Sequence, residues 1–268
     1  MKGLIALDLD DTLLGKDGRI HAPGKEALAA ARARGWEVTL VTARSWRATR
    51  ELVEELKLTL PVICLTGAAF FAPDGKPLRY ANVPLANAHR LAARADQEGW
   101  SMRLYYPEGV IFHSRPAEDY VAPTPAAQYP IDRYVGDVLP YVERHGAPLQ
   151  IVTMGDRSVE GSLAEVAQMP DLIHTPYDRH TIASRTHIMQ RSVTKGAALA
   201  TLCEQLGVPR ERVIAMGDSE TDRSMIEWAG AGVAMGWAPE PVRQIANLVT
   251  DPDDEHPVAS ALARLVLA

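Results

Sequence analysis

Near the start of the chain, short apolar runs alternate with longer stretches that repeat apolar residues at helical spacing. The runs cover 4–7, 38–41 and 62–65, and the helix-like stretches cover 23–34 and 45–56. The alternation returns after residue 195, with predicted helices at 196–206, 221–228 and 257–267 and strand-like runs at 213–216 and 232–235. This alternation is typical of βαβ units. Both ends of the chain therefore predict an α/β fold around a doubly wound, mostly parallel sheet.

The middle of the chain has a different pattern and predicts an α+β segment inserted into this frame. Its predicted elements are a helix at 86–97, a hairpin of 101–106 with 109–113, a proline-rich loop at 116–130, a strand at 149–153, a helix at 157–167 and two short strands between 172 and 189. The expected organisation is a core made of 1–83 and 189–268, with a separate domain at 84–188.

Composition narrows the class of protein. The 268 residues are 47% hydrophobic and 23% charged, as in ordinary soluble domains. No apolar run approaches the ~18 residues that span a membrane, and the net charge of −6 argues against a nucleic-acid-binding surface. The first apolar stretch is too short for a signal peptide, and Cys64 and Cys203 are too few for a disulfide framework. We therefore expect a cytoplasmic protein with reduced thiols.

Polar side chains directly follow four of the predicted strands. Asp8, Thr42, Thr66 and the pair Gly217-Asp218 each come after an apolar run. In an open parallel sheet, the carboxyl ends of the strands form the ligand crevice. We therefore expect these four stretches to converge on one edge of the sheet and to build the functional site.

The first cluster contains Asp8, Asp10 and Thr12. Residues two apart on an extended segment share a side, so the carboxylates of Asp8 and Asp10 are expected to be close. Close carboxylates repel unless one is protonated or a cation lies between them. Either arrangement suits catalysis by a nucleophile and a general acid. A helix cap or a solvated turn uses the same residue types, and the cluster alone does not decide between the two interpretations.

A second acidic cluster places Asp218 at the end of a predicted strand and Asp222 four residues later, on the first turn of a helix. Hard oxygen ligands of this kind suit Mg²⁺. The alternative is an N-terminal helix cap whose acidic residues complement the helix dipole.

Two further stretches could meet an anion. Thr42, Ala43 and Arg44 offer a hydroxyl, a backbone N–H and a guanidinium at a helix start, although a plain N-terminal cap is the common use of such a sequence. Lys195 precedes another helix and gains a role only if it points at Asp8.

In their order along the chain, these clusters resemble the four motifs of the haloacid dehalogenase superfamily, in its Cof-type branch. The motifs are Asp-x-Asp-x-Thr, a Thr or Ser after a strand, a Lys before Gly at a helix start, and Gly-Asp-x-x-x-Asp. The matching residues are Asp8, Asp10 and Thr12; Thr42; Lys195 and Gly196; and Gly217, Asp218 and Asp222. The resemblance covers the whole chain, because the insertion has the length and pattern of the large α/β cap of this branch.

The resemblance implies a phosphatase that works through an aspartyl phosphate. Asp8 would be the nucleophile, and Asp10 would protonate the leaving alcohol and then activate water. Thr42, Ala43 and Lys195 would hold the phosphoryl oxygens.

The same resemblance implies a cofactor and substrate contacts. Mg²⁺ would bind Asp8, the backbone carbonyl of Asp10, and Asp218, with Asp222 as a ligand or a neighbour of the ligands. Arg44 and the cap residue His187 are candidate substrate contacts.

Several positions depart from the family pattern. The usual residues would be Gly at Asp11 and Ala43, and Asn at Thr66 and Thr221. The family commonly has a Glu in the last cap strand, near the position of His187.

The favoured hypothesis is a Mg²⁺-dependent phosphatase of small phosphorylated metabolites, such as a sugar phosphate or a phosphorylated cofactor. One alternative keeps the fold but moves phosphate within a hexose, as a phosphomutase. The other is a receiver-like switch that stores phosphate on Asp8; the full cap and Asp10 argue against it, because a switch needs neither a substrate enclosure nor a leaving-group acid. The particular substrate and the oligomeric state stay open.

Overall fold

The computed structural model describes residues 1–107, 111–114, 133–176 and 184–267. The chain divides into two units. The core unit contains Met1–Arg44, Thr49–Leu78 and Thr194–Ala268, and the inserted unit contains Ser45–Ala48 and Arg79–Val193. The predicted domain limits at 83/84 and 188/189 lie a few residues inside the long segment of the inserted unit.

The helices and strands follow in chain order. Up to residue 80 they are β1 Gly3–Leu7, α1 Ala22–Ala33, β2 Trp36–Leu40, α2 Trp46–Glu55, β3 Val62–Cys64, β4 Ala69–Phe71 and β5 Pro77–Tyr80. The next are α3 Leu85–Glu98, β6 Ser101–Tyr105, β7 Ile111–His113, β8 Arg133–Tyr134, α4 Leu139–His145, β9 Gln150–Met154, α5 Asp156–Val166, β10 Leu172–Pro176 and β11 Arg185–Gln190. The last are α6 Lys195–Leu206, β12 Val213–Gly217, α7 Arg223–Trp228, β13 Ala231–Ala234, α8 Glu240–Ile245, β14 Leu248–Val249 and α9 Pro257–Leu262.

The core unit is built on a five-stranded parallel sheet in the order β14-β13-β12-β1-β2. Every residue of β1 and β12 is buried, as is typical of parallel strands that have helices on both faces. Leu4 of β1 and Ala215 of β12 share a buried cluster with Leu199 of α6 and Met225 of α7. The predicted α/β core is confirmed.

The parallel sheet departs from the prediction in two strands: the pattern does not predict β14, and the strand predicted at 62–65 lies outside this sheet. The apolar pattern predicts 62–65 as another parallel strand, but β3 instead forms an antiparallel sheet with β4 and β5. Its parallel contact with the chain after β2 is one bridge, between Val41 and Ile63. The reason is local: Leu65 and Thr66 both have positive φ, so the chain turns back after three strand residues.

The inserted unit contains a six-stranded sheet in the order β10-β11-β9-β6-β7-β8. All of its pairs are antiparallel except β7 with β8. Met102 and Leu104 of β6 and Ile151 of β9 share a buried cluster with Leu91 of α3 and Val142 of α4, so these helices cover one face of the sheet. The expected α+β insertion is confirmed as part of the fold class.

The hairpin of β6 with β7 is present as predicted, although its turn at 108–110 and the proline-rich loop at 116–130 fall outside the described residues. Among the helices that are described, none has both the length and the apolar character needed to cross a membrane.

Candidate active site

The first predicted carboxylate lies where the resemblance implies, at the carboxyl end of a central strand. Asp8 directly follows β1, and its backbone N–H donates to the carbonyl of Met216 in the neighbouring strand β12 at 3.0 Å. The side chain of Asp8 is buried. Because β1 and β12 are parallel and in register at Leu7 and Met216, the chain brings Asp8 and Asp218 to the same edge of the sheet.

Lys195 lies at the start of α6 and is almost completely buried, with 1% of its surface exposed. Its Nζ donates to Asp8 Oδ1 at 2.6 Å and also to Asp222 Oδ1. Burial alone would lower the pKa of Lys195, but the charges of Asp222 and Asp8 outweigh it and hold that pKa above its ordinary value. Lys195 therefore points at Asp8, as it must if it has a role in the site.

The glycine after Lys195 has a packing reason. A Cβ at Gly196 would overlap the backbone of Ser224 at the start of α7, so only glycine lets the first turn of α6 come this close. The N-terminus of α6 is capped by Thr194, whose hydroxyl accepts from the N–H of Ala197 at 3.1 Å. These two contacts fix the position from which Lys195 reaches into the site.

Asp222 is fully buried and both of its carboxylate oxygens have partners. Oδ1 accepts from Lys195, and Oδ2 accepts from the backbone N–H of Asp218 at 3.1 Å, the N–H of Ser219 at 2.9 Å and the hydroxyl of Ser219 at 2.7 Å. Asp222 therefore organises the loop that carries Asp218 and anchors Lys195 at the same time. The role of Ser219 has no signal in the motif, whose positions between the two aspartates are variable.

The donor set at this edge fits a divalent cation. Oxygens of Asp8, Asp218 and Asp222 lie within 4.8 Å of one another. All three are hard carboxylate ligands, which Mg²⁺ prefers. Thr12 donates to Asp218 Oδ1 at 3.1 Å and so orients one of them, a contact that the sequence analysis did not anticipate.

Asp10 has a different partner. Arg44 donates to it twice, from Nε to Oδ2 at 3.0 Å and from Nη2 to Oδ1 at 2.6 Å. This fork-like contact fixes the plane and direction of the carboxylate. The substrate contact predicted for Arg44 stays a prediction, as does a metal contact through the backbone carbonyl of Asp10. The sequence indicated that Arg44 could bind an anion, because it lies in a loop that offers donors, but it did not indicate Asp10 as the partner.

Thr42 is fully buried and tightly held by backbone contacts. Its hydroxyl accepts from the N–H of Arg44 at 3.1 Å, and its carbonyl accepts from the N–H of Thr66 at 3.0 Å. Helix α2 begins only at Trp46, so Thr42 and Ala43 lie in the connecting loop and not in a helical turn. Their phosphate contacts stay predictions.

Two of the departures from the family pattern lie at positive φ. Asp11 has φ 54° and Thr66 has φ 58°. The family residues at these positions, Gly and Asn, are the ones that adopt this conformation most readily. Asp is also tolerated there, whereas a β-branched Thr is strained. The strain at Thr66 lies directly beside Thr42, at the edge of the site.

His187 belongs to β11 of the inserted unit, where it pairs with Val152 of β9. It is 6% exposed. The substrate contact predicted for His187 stays a prediction.

Comparison with known proteins identifies the family. A family model of haloacid dehalogenase-like hydrolases matches residues 5–262, so the chain belongs to this family, in its Cof-type branch. It is 28% identical to a 5-amino-6-(5-phospho-D-ribitylamino)uracil phosphatase of Bacillus subtilis, YitU, over 97% of this chain and 96% of the relative. It is 27% identical to the pyridoxal phosphate phosphatase YbhA of Escherichia coli, over 92% of each.

Solved structures agree with this assignment. A haloacid dehalogenase-like hydrolase from B. subtilis superposes with a TM-score of 0.82 at 26% identity, over 99% of this chain and all of that structure. The superfamily and the enzyme class that the motifs imply, a phosphoric monoester hydrolase, are therefore confirmed.

Proposed function

We propose that the chain is a Mg²⁺-dependent phosphatase of small phosphorylated metabolites that works through an aspartyl phosphate on Asp8. The observation that carries this proposal is the contact of 2.6 Å between Lys195 Nζ and Asp8 Oδ1 in a buried site. A carboxylate attacks an anionic phosphate only if positive charge offsets their repulsion. Lys195 supplies such charge at the nucleophile itself.

In the first step, an oxygen of Asp8 forms a bond to phosphorus while the bond from phosphorus to the leaving oxygen breaks. Asp10 gives its proton to that leaving oxygen, so a neutral alcohol departs. Thr42, Ala43 and Lys195 hold the phosphoryl oxygens during the transfer. Arg44 orients the side chain of Asp10, because its Nε and Nη2 donate to the two oxygens of Asp10.

In the second step, Asp10 takes a proton from water, and the water oxygen forms a bond to phosphorus. The bond between phosphorus and Asp8 breaks, which releases inorganic phosphate and restores the carboxylate of Asp8 and the protonated form of Asp10. Asp8, Asp218 and Asp222 are the residues whose oxygens would hold Mg²⁺, together with the carbonyl of Asp10. When bound, the cation supplies further positive charge beside the phosphoryl group.

The substrate proposal is a small phosphate monoester in the cytoplasm, either a sugar phosphate or a phosphorylated cofactor. The relatives support this size class, since YitU and YbhA are phosphatases of a phosphoribityl compound and of pyridoxal phosphate. Cys64 and Cys203 are both free and buried, as suits a reducing compartment. We assign the inserted unit the role of substrate selection.

The test is rapid quench with an activated aryl or acyl phosphate, followed by mass measurement of the intact protein. Asp8→Asn removes the nucleophile and should carry no phosphoryl group. Asp10→Asn keeps the nucleophile, and activated leaving groups need little protonation, so it should be phosphorylated and then stall by about 10²–10⁴-fold. Equal label in both variants would contradict attack by Asp8.

Two controls separate the alternatives. Transfer of phosphate within a hexose phosphate without release would indicate a mutase, and a long-lived aspartyl phosphate on the unaltered protein would indicate a switch. Chelation of divalent cations should abolish phosphate release, and added Mg²⁺ should restore it. Activity that is unchanged by chelation would contradict the metal dependence.

A further inference from the structure

Arg103 is a charged residue in the middle of a buried strand. It lies in β6 between Met102 and Leu104, whose side chains pack in the cluster shared with α3 and α4. Successive side chains of a strand point to opposite faces of the sheet. Arg103 therefore lies on the face opposite this cluster.

Arg103 is a buried residue that no carboxylate among the described residues holds. The residue is 8% exposed, and its buried Nε has no hydrogen-bond partner. Within residues 1–107, 111–114, 133–176 and 184–267, no carboxylate forms an ion pair with Arg103. Arg44 shows the contrast, because it is just as buried, at 6% exposed, and grips both oxygens of Asp10.

A buried charge without a counter-charge is costly, because it gives up hydration and receives nothing in return. Proteins rarely retain such an arginine in a core position where an apolar residue would pack as well. The guanidinium of Arg103 therefore has N–H donors available for an oxyanion that is not part of the chain.

The surrounding face agrees with an anionic ligand. On β6 and β9 the nearest residues on the same face are Tyr105, Val152 opposite Arg103, and Gln150. His187 follows on β11, opposite Val152. The residues of β6, β9 and β11 on this face include no Asp or Glu; they are Ser101, Arg103, Tyr105, Gln150, Val152, Met154, Arg185, His187 and Met189. Nothing on these three strands would repel an anion.

We propose that Arg103 binds a second anionic group of the substrate, on the part that leaves when phosphate is transferred. The proposal rests on the proposed phosphatase function and narrows its substrate class to phosphate monoesters whose alcohol carries a carboxylate or another phosphate. Both groups present oxyanions to a guanidinium in the same forked geometry.

The kinetic test compares Arg103→Met with the unaltered enzyme on four substrates. 2-Phosphoglycolate carries a carboxylate and fructose 1,6-bisphosphate a second phosphate, whereas glycerol 3-phosphate and p-nitrophenyl phosphate carry neither. For at least one anionic substrate, kcat/KM should fall by about 10- to 100-fold, the size of a lost charge-assisted contact. For the two neutral leaving groups it should change by less than about threefold. Which anionic substrate responds identifies the source of the oxyanion.

Arg103→Lys and Arg157→Met are the matched variants. Lysine keeps the charge but loses the fork, so it should recover part of the lost activity. Arg157 is an exposed arginine of the same unit, and its replacement should leave all four substrates unchanged. An equal loss on all four substrates in Arg103→Met, or no loss on any, would overturn the proposal.

A binding measurement keeps this result separate from the phosphatase proposal. Titration calorimetry of the non-reacting Asp8→Asn variant should show tighter binding of 2-phosphoglycolate or fructose 1,6-bisphosphate than of glycerol 3-phosphate. The difference should vanish when Arg103→Met is added. If the unaltered enzyme releases phosphate from none of the substrates, the proposed phosphatase function fails. The binding preference of the Asp8→Asn variant still tests the role of Arg103 in that case. Equal binding of all three ligands would contradict that role.

Discussion

The core unit and the inserted unit each bury a cation, and they treat it in opposite ways. In the core, Lys195 has two carboxylate partners, Asp8 and Asp222, supplied by other parts of the same unit. In the inserted unit, the described residues supply no carboxylate partner for Arg103. The core unit therefore pairs its buried cation within the fold, whereas Arg103 is left for the anionic substrate group proposed above.

This difference would suit catalysis in the core unit and the recognition role that we propose for Arg103. A catalytic site gains from groups held in place before the substrate arrives, because less reorganisation is needed during the reaction. A recognition site gains from a group that is satisfied only by the right ligand, because a ligand without the matching anion leaves the charge buried and unpaired. Substitutions in the core unit test this comparison, from the largest expected effect to the smallest.

Replacing Lys195 by Met should have the largest effect. It leaves Asp8 and Asp222 buried together without their cation, which should cost about 3–5 kcal/mol in the free energy of unfolding. Phosphatase activity should fall below detection, because the nucleophile loses its neighbouring positive charge. Urea unfolding and a steady-state assay measure the two effects. Lys25→Met, at an exposed ion pair with Glu55, should change stability by less than about 1 kcal/mol. Similar stability losses in both variants would mean that the ion pairs of Lys195 with Asp8 and Asp222 do not stabilise the buried cluster.

Gly67→Ala should come next, because it acts on the support of Lys195. Gly67 has φ 109°, and a Cβ there would lie 2.6 Å from the carbonyl oxygen of Thr194, the cap of α6. Strain and overlap together should cost about 2–4 kcal/mol.

Gly207→Ala is the matched control for this substitution, because it has φ 65° and nothing within 4 Å of an added Cβ. It should cost about 1 kcal/mol and leave kcat unchanged. Thermal unfolding and kcat would be measured for both variants. A loss of stability in the Gly67 variant no larger than in the Gly207 variant would show that the contact with Thr194 is loose.

Thr66→Asn should stabilise the protein slightly. Thr66 has φ 58°, a conformation that Asn adopts more readily than a β-branched residue, so the free energy of unfolding should rise by about 0.5–1 kcal/mol. Chemical unfolding of the variant beside Thr39→Asn, at a buried strand position with ordinary φ, gives the comparison. The control should be destabilised. Destabilisation of the Thr66 variant would show that its side-chain contacts outweigh the backbone strain.

The smallest effect concerns the two thiols of the core. Burial raises the pKa of Cys64 to about 12 and that of Cys203 to about 11, from an ordinary value of 9.0. At pH 8 the thiolate fraction is then far below the roughly 10% of an unperturbed thiol, so a thiol reagent should label neither residue in the native protein and both in urea.

The same shifts predict a pH dependence of stability. The raised pKa means that the folded state holds the thiol proton more tightly, so this contribution is complete below pH 9 and is lost as the pH rises toward 11 and 12. Urea midpoints measured between pH 8 and pH 10.5 should fall, and a Cys64→Ala variant should show a weaker fall. Rapid labelling at pH 8 would contradict the burial on which both expectations rest.

Much of the site could be predicted because strand ends are easy to locate. The runs before Asp8 and Asp218 are apolar and short, and adjacent parallel strands must end at the same edge, so the two residues had to meet. The turn at Leu65 was not predictable in this way, because its positive φ values occur at residues that rarely adopt them. The pattern therefore predicts a parallel strand at 62–65 that is not part of the sheet, and it misses β14 at the opposite edge.

The partners of buried charges were harder to predict, since they depend on contacts between distant segments. Arg44 is as suitable for a substrate anion as for Asp10, and only the fold shows that its Nε and Nη2 donate to Asp10. The sequence places Arg103 in the inserted unit, where substitutions are expected to change substrate preference, but it does not show that this residue lacks a carboxylate partner among the described residues. Its meaning comes from an absence of carboxylates on three strands, a property of the register and not of any local motif.

The division of the chain sets an order of events during synthesis. The long segment of the inserted unit, Arg79–Val193, is synthesised before any residue of α6 or β12. Strand β1 therefore cannot pair with β12 until β12 has been synthesised. In the same way, Asp8 cannot bind Lys195 until that residue, 187 positions later, has been added. Contacts of such long separation form slowly, and an unpaired parallel strand is prone to association with other chains meanwhile. The nascent chain thus contains the whole inserted unit before the parallel sheet of the core unit can be completed.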